Sequence, residues 1–329
     1  GHTLAGAVPF TVGDAPPATG YADLVREVDR AALAAQSPPP ADLVSRWLVL
    51  TALIALTGAV LFSPLFMATP RMAAARERTS MRRRRWLIVL ILFAAVSFGL
   101  EALARAGHGG LPALMAGRFG LTFGVRLGLL AGLFAIWRLG RETGWAGPLL
   151  GAALLLSQSA NSHSAAEPTA LPLLADWLHL AFTSLWLGGV AQIALIDAPL
   201  AARAADPGAR ADLGALIARF SPWAMLCVLG LALTGLAQSA AFVESIEALW
   251  STAYGRALAA KLILFAVLLA FGAAHQFILA PRLRELRARS ARAADPSPGV
   301  RRAARLFSAS AAAETLVGAM ALLAAGLLI

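Results

Sequence analysis

Cysteine is almost missing from this chain, because Cys227 is the only one among 329 residues. No intramolecular disulfide can form, and the redox compartment of the protein cannot be inferred from its cysteines. The six methionines are scattered along the sequence and form no Met-x-x-Met pair. A path lined by thiolates and thioethers, the ligands that soft metal ions prefer, is therefore not visible in the sequence.

Charged residues are also scarce, at 14% of the chain, and Lys261 is the only lysine among 28 basic residues. A net charge of +10 is common in nucleic-acid-binding proteins. We reject that class, because the arginines lie between apolar runs rather than on one soluble domain. The sequence has no nucleophile–base arrangement, no nucleotide-binding loop and no His-Glu-x-x-His zinc motif. We therefore expect neither an enzyme nor an ATP-driven pump.

Long apolar runs are what the chain has in abundance, since 59% of its residues are hydrophobic. A run of about 20 apolar residues is long enough to cross a membrane as a helix. We predict an all-α polytopic membrane protein with about eight transmembrane helices. The predicted spans are 44–68, 86–106, 119–139, 145–161, 173–197, 220–240, 254–279 and 306–329.

The arginines between the spans predict the orientation. They are concentrated after the first, third, fifth and seventh spans, as in Arg82–Arg85 and Arg282–Arg305, whereas the alternate loops are almost free of basic residues. Basic loops stay in the cytoplasm. We therefore expect a multi-pass protein of the bacterial inner membrane with both termini in the periplasm, and we call the opposite ends of the spans outer and inner.

The residues before the first span predict a different element. Apolar and polar residues alternate over 1–14, which is the period of a half-buried β-strand. A single strand is not stable alone in water, so we expect it to close a periplasmic β-sandwich whose other strands lie upstream. Residues 15–43 read as a periplasmic linker with a short amphipathic helix at 21–36.

Polar residues within the spans concentrate at the outer end. Asp176 and His179 lie one helical turn apart in the fifth span, and such residues in an apolar span mark a functional site by default. His108 and His163 are expected at the same level, and imidazole with carboxylate suits Cu(II) or Zn(II). We take Glu101, Arg126 and Lys261 as charge-balancing groups. The supporting polar residues are Gln158, Asn161 and Gln238.

Less specific interpretations stay open for each of these residues. The loop histidines His108 and His163 are each compatible with an idle position in solvent. Asp176 is compatible with a structural pair with Arg126 or Lys261, because ion pairs also hold membrane helices together. Two histidines at one depth, His163 and His179, are also compatible with axial ligation of haem b.

The fifth span, Asp-Trp-Leu-His-Leu-x(5)-Leu-Trp-Leu-Gly-Gly, resembles the bacterial CopD/PcoD family of copper resistance membrane proteins. Arg219-Phe-Ser221, Leu-Thr-Gly235, the segment Tyr254–Lys261 and Pro281-Arg-Leu283 support this resemblance, which covers most of residues 44–329. His275-Gln276-Phe277 departs from it, because the family usually has an Asn-Arg-Phe-like sequence there. The first residues are similar to the closing strand of CopC, the periplasmic copper carrier, where His2 matches a Cu(II) ligand.

The two resemblances together imply a CopC–CopD fusion that lacks most of its CopC domain here. The first hypothesis is a protein that accepts copper from a CopC-like carrier, in cis or in trans, and moves it across the cytoplasmic membrane. His163, His179, His108, Asp176 and His2 are its expected metal ligands. The alternatives are a b-type haem protein and a partner that assists copper delivery to another membrane enzyme without transport.

Overall fold

The structure is a computed structural model that describes residues 39–115, 117–141, 144–162, 169–203, 207–240, 250, 253–279, 281 and 298–326. All regular structure within these residues is helical, which confirms the predicted all-α polytopic membrane fold. The predicted strand at 1–14 and the amphipathic helix at 21–36 lie outside the described residues. The first helix begins at Pro40, inside the region that we predicted as linker.

Eight helical runs make up the described part of the chain. They are α1 (Pro40–Phe62), α2 (Ala73–Met115), α3 (Gly117–Arg138), α4 (Ala146–Ser159), α5 (starting as Ala170–Thr183), α6 (Pro207–Ala240), α7 (Ala253–Ala274) and α8 (Pro298–Gly326). The label α5 covers the whole run from Ala170, which continues through Ser184–Gly188, Gly189–Gln192 and Ile193–Asp197 to Ala198–Arg203. The α2 helix is kinked at Gly110, where φ is 74°.

Several runs contain π-helical turns, each of which holds one more residue than an α-helical turn. They are Ser63–Met67 after α1, Ser184–Gly188 and Ile193–Asp197 within α5, and His275–Leu279 after α7. Such turns are rare and occur frequently at functional sites. Both π turns of α5 follow the predicted site at Asp176 and His179, and the turn after α7 begins at a histidine.

The described helices include seven that are long and apolar enough to cross a membrane, while α4 is shorter. With 14 residues, α4 is about 21 Å long, compared with about 30 Å for a bilayer hydrocarbon core. α4 alone is therefore too short to cross that layer. The polar sequence Ser157-Gln158-Ser159 forms its last turn, and the helix lies within the predicted span 145–161.

Contacts between helix ends show that neighbouring helices alternate in direction. At the outer end, the Trp47 indole near the start of α1 donates to the carbonyl of Ala319 in α8 at 2.9 Å. At the inner end, the Trp137 indole in α3 donates to the carbonyl of Arg84 in α2 at 3.0 Å. The outer ends thus meet each other and the arginine-rich inner ends meet each other, as the predicted topology requires.

The α1 and α5 helices form the centre of the bundle. In each, 61% of the most apolar window is buried, compared with 17% for α3 and for α7. Two glycines allow the central helices to meet, because a Cβ on Gly58 would lie 2.5 Å from the Cα of Gly188. Close backbone approach at small residues is the usual way in which membrane helices associate. The α3 and α7 helices therefore present most of their surface to lipid.

Candidate functional site

The predicted site residues of α5 lie where this helix packs against α6. Glycines on α6 make the approach possible: a Cβ on Gly230 would lie 2.4 Å from the ring of Phe182, and one on Gly235 would lie 3.6 Å from His179 Cε1. The imidazole of His179 consequently reaches α6, where its Nδ1 lies 2.9 Å from Thr234 Oγ1. The contact joins two residues that are 55 positions apart in the sequence.

The hydrogen bonds of Thr234 indicate which ring nitrogen of His179 carries the lone pair that can bind a metal ion. The Thr234 hydroxyl donates its single hydrogen to the carbonyl of Gly230 at 2.7 Å. It therefore accepts a hydrogen bond from Nδ1–H of His179, and the lone pair of the neutral ring lies on Nε2. Metal-binding histidines usually have this arrangement, in which one nitrogen donates to a fixed acceptor and the other coordinates. His179 is thus oriented as a donor of the Nε2 lone pair.

Asp176 lies one turn from His179, nearer the outer end. Its Oδ2 accepts a hydrogen bond from the Ser162 hydroxyl at 3.2 Å, so the end of α4 contacts the start of α5. Lys261 of α7 attracts the Asp176 carboxylate and repels a proton on His179. The two charges do not form a direct ion pair within the described part of the chain. Asp176, His179, Thr234 and Lys261 are called the outer polar group below.

A separate network holds the other predicted charge-balancing residues. Arg126 is fully buried, and its Nη1 donates to Glu101 Oε2 at 2.9 Å. Its Nη2 donates to Gln158 Oε1 at 2.6 Å, and its Nε donates to the Ser157 hydroxyl at 3.2 Å. Arg126 therefore joins α2, α3 and α4 at the outer end. From the sequence, Arg126 could have paired with Glu101 or with Asp176. In the structure it pairs with Glu101.

The structure describes the side chains of some of the remaining predicted residues and not of others. Asn161 donates to the Thr122 hydroxyl at 2.7 Å, which links the end of α4 to α3. Gln238 is half-buried in α6 and its Nε2 has no hydrogen-bond partner. His108 lies in α2, but its side chain is outside the described residues, as are His163 and His2 altogether. The predicted sharing of one site by three histidines therefore stays a prediction.

Among the described residues, no group of three or more His, Cys, Asp or Glu side chains could hold a metal ion. Within that part of the chain, Asp176 and His179 supply one carboxylate and one imidazole at the predicted metal position. A ligand set with only these two protein donors leaves coordination positions for water or for ligands from elsewhere.

The inner end carries polar contacts that our sequence reasoning did not identify. Arg83 of α2 donates to both carboxylate oxygens of Asp197 in α5, at 2.7 and 2.6 Å, and also to Gln192 Oε1 at 3.3 Å. The Arg83 and Asp197 side chains are only 10% and 6% exposed. Asp197 had a signal in the sequence, since it is an acid at the end of an apolar span beside an arginine-rich loop.

A second inner contact joins α7 and α8. His275 Nδ1 lies 3.0 Å from Oε2 of Glu314, which is 1% exposed. From the sequence we placed His275 near the cytoplasmic headgroups and Glu314 near mid-membrane, and did not pair them. The π turn that starts at His275 and the length of the side chains bring them together.

Comparisons with known proteins first match the last third of the chain. Residues 214–328 match the family model described as Copper resistance protein D. The matched region covers most of α6 with α7 and α8, so it contains Thr234, Lys261 and the His275–Glu314 pair. Asp176 and His179 lie before the matched region.

The similarity to a curated relative extends further along the chain. The sequence is 29% identical over 302 residues to the protein named Copper transport protein CutJ from Bacillus subtilis (strain 168). The match covers 86% of this chain and 53% of the relative, so the chain spans about half the length of the relative that it matches. No solved structure matches the chain. These matches confirm the predicted resemblance to the CopD family and support copper handling.

Proposed function

We propose that this protein accepts copper at the outer face of the bacterial cytoplasmic membrane and conducts it inward through the helix bundle. The observation that carries the proposal is the orientation of His179. Its Nδ1 is held by Thr234, so its Nε2 lone pair is available beside the carboxylate of Asp176. A nitrogen donor and a carboxylate suit Cu(II), the form that a CopC-like carrier would deliver by the resemblance of residues 1–14.

The charges around His179 favour transit over storage. Asp176 attracts a cation bound beside His179, whereas Lys261 repels the same cation. A site in a conduction path must bind the ion well enough to admit it and weakly enough to release it. His163 and His108 are proposed as further entry ligands, and His2 as a ligand in the carrier domain. A tethered carrier would keep copper at a high effective concentration beside the entry.

The short α4 helix supports entry at this point. With 14 residues it is too short to cross the hydrocarbon layer, and most of its last residues are polar. Ser162, which follows α4, contacts Asp176 directly. Polar groups at this depth are stable when they line a water-accessible recess. We propose that such a recess leads from the outer surface to Asp176 and His179.

The test is copper binding by the purified protein, followed by calorimetry and by the EPR spectrum of Cu(II). We expect His179→Ala to weaken binding at least about tenfold, which corresponds to the loss of about 1.4 kcal/mol of ligand free energy. The variant with both His179→Ala and His163→Ala should lose the EPR signal of the membrane site. The matched control is Glu77→Ala, which removes an exposed acid at the inner end of α2 and should leave copper binding unchanged.

Transport requires a second measurement. Copper uptake into sealed vesicles that contain the protein should exceed uptake into empty vesicles, and His179→Ala should reduce the excess. Binding without uptake would instead favour the partner that assists delivery to another enzyme. Full copper occupancy in the double histidine variant would show that the ligand assignment is wrong. An absorption spectrum of the same preparation with a Soret band would favour the haem alternative, which the comparisons do not support.

A further inference from the structure

The inner acid–histidine pair, His275 and Glu314, has no role in the proposed copper entry. Glu314 lies nine residues beyond Arg305 in α8, which places it roughly 13 Å into the helix from its arginine-rich end. It is 1% exposed, so an unneutralised carboxylate here would be expensive. His275 stands one residue beyond the apolar part of α7 and keeps 14% of its side chain exposed. The pair therefore connects the inner surface with a buried acid.

The hydrogen bonds around His275 allow two protonation states with the same heavy-atom positions. Nε2 lies 2.6 Å from the Ser310 hydroxyl, which also lies 3.2 Å from the carbonyl of Phe307. When Ser310 donates to Phe307, it accepts from Nε2–H, and Nδ1 then faces Glu314 Oε2, a buried atom that makes no hydrogen bond among the described residues. A second proton on either atom would relieve the repulsion between their lone pairs. When Ser310 instead donates to Nε2, Nδ1–H faces the ionised carboxylate. Rotation of one hydroxyl therefore accommodates the gain or loss of one proton.

Among the described residues, few other ionisable groups lie on the helices that pack against the pair. α7 has no ionisable residue between Lys261 and His275, and α8 has none between Arg305 and Glu314 or after Glu314. Two further helices pack against α8, namely α1 and α5. α1 has no ionisable residue after Arg46, near its outer end. The inner half of α5 contributes Asp197, which Arg83 neutralises, and ends at Arg203.

We propose that His275 and Glu314 form an exchangeable proton site and that copper moving through the inner half of the bundle displaces this proton. The proton leaves Glu314 through His275 to water at the inner surface, which offsets one of the two positive charges that Cu(II) brings, and no bond to carbon is made or broken. A unit charge about 10 Å away changes a proton affinity by roughly tenfold in the interior of a protein. The coupling half of this inference rests on the proposed copper transport, whereas the proton site itself does not.

The proton site is tested without copper by infrared difference spectra recorded between about pH 5 and about pH 8. The wild type should show the C=O band of a buried protonated carboxyl group, or its loss, within this range. Glu314→Gln should remove the band, and Ser310→Ala should shift its midpoint, because the hydroxyl supports both states. Glu77→Gln, an exposed acid at the inner end of α2, is the matched control and should leave the band unchanged. Identical spectra of wild type and Glu314→Gln would overturn the proton site.

The coupling is tested by adding Cu(II) to the purified protein in weakly buffered solution with a pH-sensitive dye. Neutral His179 binds copper through Nε2 without losing a proton, so release should come from the inner pair. We expect roughly one proton per copper in the wild type and at least about a twofold reduction in Glu314→Gln. Unchanged release in Glu314→Gln would overturn the coupling, as would loss of one bound copper in His275→Ala, which would indicate a metal site. A wild type that titrates normally but binds no copper would refute the proposed function and the coupling, and would leave the proton site standing.

Discussion

Two pairs of opposite charges, one at each end of the helix bundle, are arranged differently. At the inner end, Arg83 and Asp197 make a two-point ion pair, and both side chains are at least nine-tenths buried. At the outer end, Asp176 and Lys261 attract each other without direct contact, and both are half-buried. Arg83 and Asp197 therefore satisfy each other, as Arg126 and Glu101 do at the outer end, whereas Asp176 and Lys261 are left able to interact with something else.

The difference indicates a division of roles along the membrane normal. A buried ion pair with good geometry resists separation, because removing either partner leaves an unpaired charge in a medium of low dielectric. Such a pair holds α2 against α5 at the inner end. Charges that are spaced apart and partly accessible contribute little to stability. They retain the capacity to bind an incoming cation, which is what the proposed copper entry needs.

The largest expected effect comes from breaking the inner ion pair. Asp197→Ala should lower the free energy of unfolding by about 3–5 kcal/mol, because it leaves Arg83 buried and unpaired. The measurement is the thermal unfolding midpoint of the purified protein in detergent. The variant with both Asp197→Ala and Arg83→Ala should regain part of the loss, since no charge is then left alone. Equal loss in the single and double variants would show that packing, and not the ion pair, holds this end together.

A loss of stability of intermediate size is expected from a substitution at the middle of the bundle, where α1 crosses α5. Gly58→Ala would place a Cβ 2.5 Å from the backbone of Gly188, so the helices must separate. Overpacking of this kind costs about 1–3 kcal/mol, and the same unfolding midpoint reports it. Gly124→Ala in α3 is the matched control, because nothing lies within 4 Å of the added Cβ. The control should be neutral or slightly stabilising, and a comparable loss in both variants would contradict the close crossing.

The smallest effect on stability is expected at the outer end. Asp176→Asn keeps an oxygen that can accept the Ser162 hydrogen bond, and it removes a charge that has no direct ion pair. The free energy of unfolding should therefore change by less than about 1 kcal/mol. Copper binding, measured by calorimetry, should weaken several-fold because the carboxylate is lost. A stability loss as large as that of Asp197→Ala would mean that Asp176 is a structural residue and would remove the contrast between the ends.

Much of the fold could be predicted because its signals are local. The apolar runs predicted the membrane spans, and the arginine distribution predicted alternating helices whose like ends meet. The predicted span of α4, 145–161, exceeds the helix Ala146–Ser159 by one residue at its start and two at its end. Asp176 and His179 were singled out because an acid and a histidine are costly in an apolar run. The matches to the CopD family then confirmed the resemblance that these residues suggested.

The partners of the charged residues could not be predicted in the same way. Arg126 had two acids at its own depth, and only the rotation of α2, α3 and α4 selects Glu101. Arg83 was visible in the sequence as one arginine among several in a loop, and its approach to Asp197 depends on how α2 lies against α5. The same holds for His275 and Glu314, which are 39 residues apart and meet across two helices.

The sequence by itself thus determined that this is an all-α membrane protein whose neighbouring helices alternate in direction. Those properties follow from the hydrophobicity and charge of consecutive residues, which the bilayer separates along one axis. Only the tertiary structure decided which polar residues touch, because contact depends on the rotation and spacing of separate helices. That step set Nδ1 of His179 against Thr234 and gave the buried acid at the inner end a histidine partner.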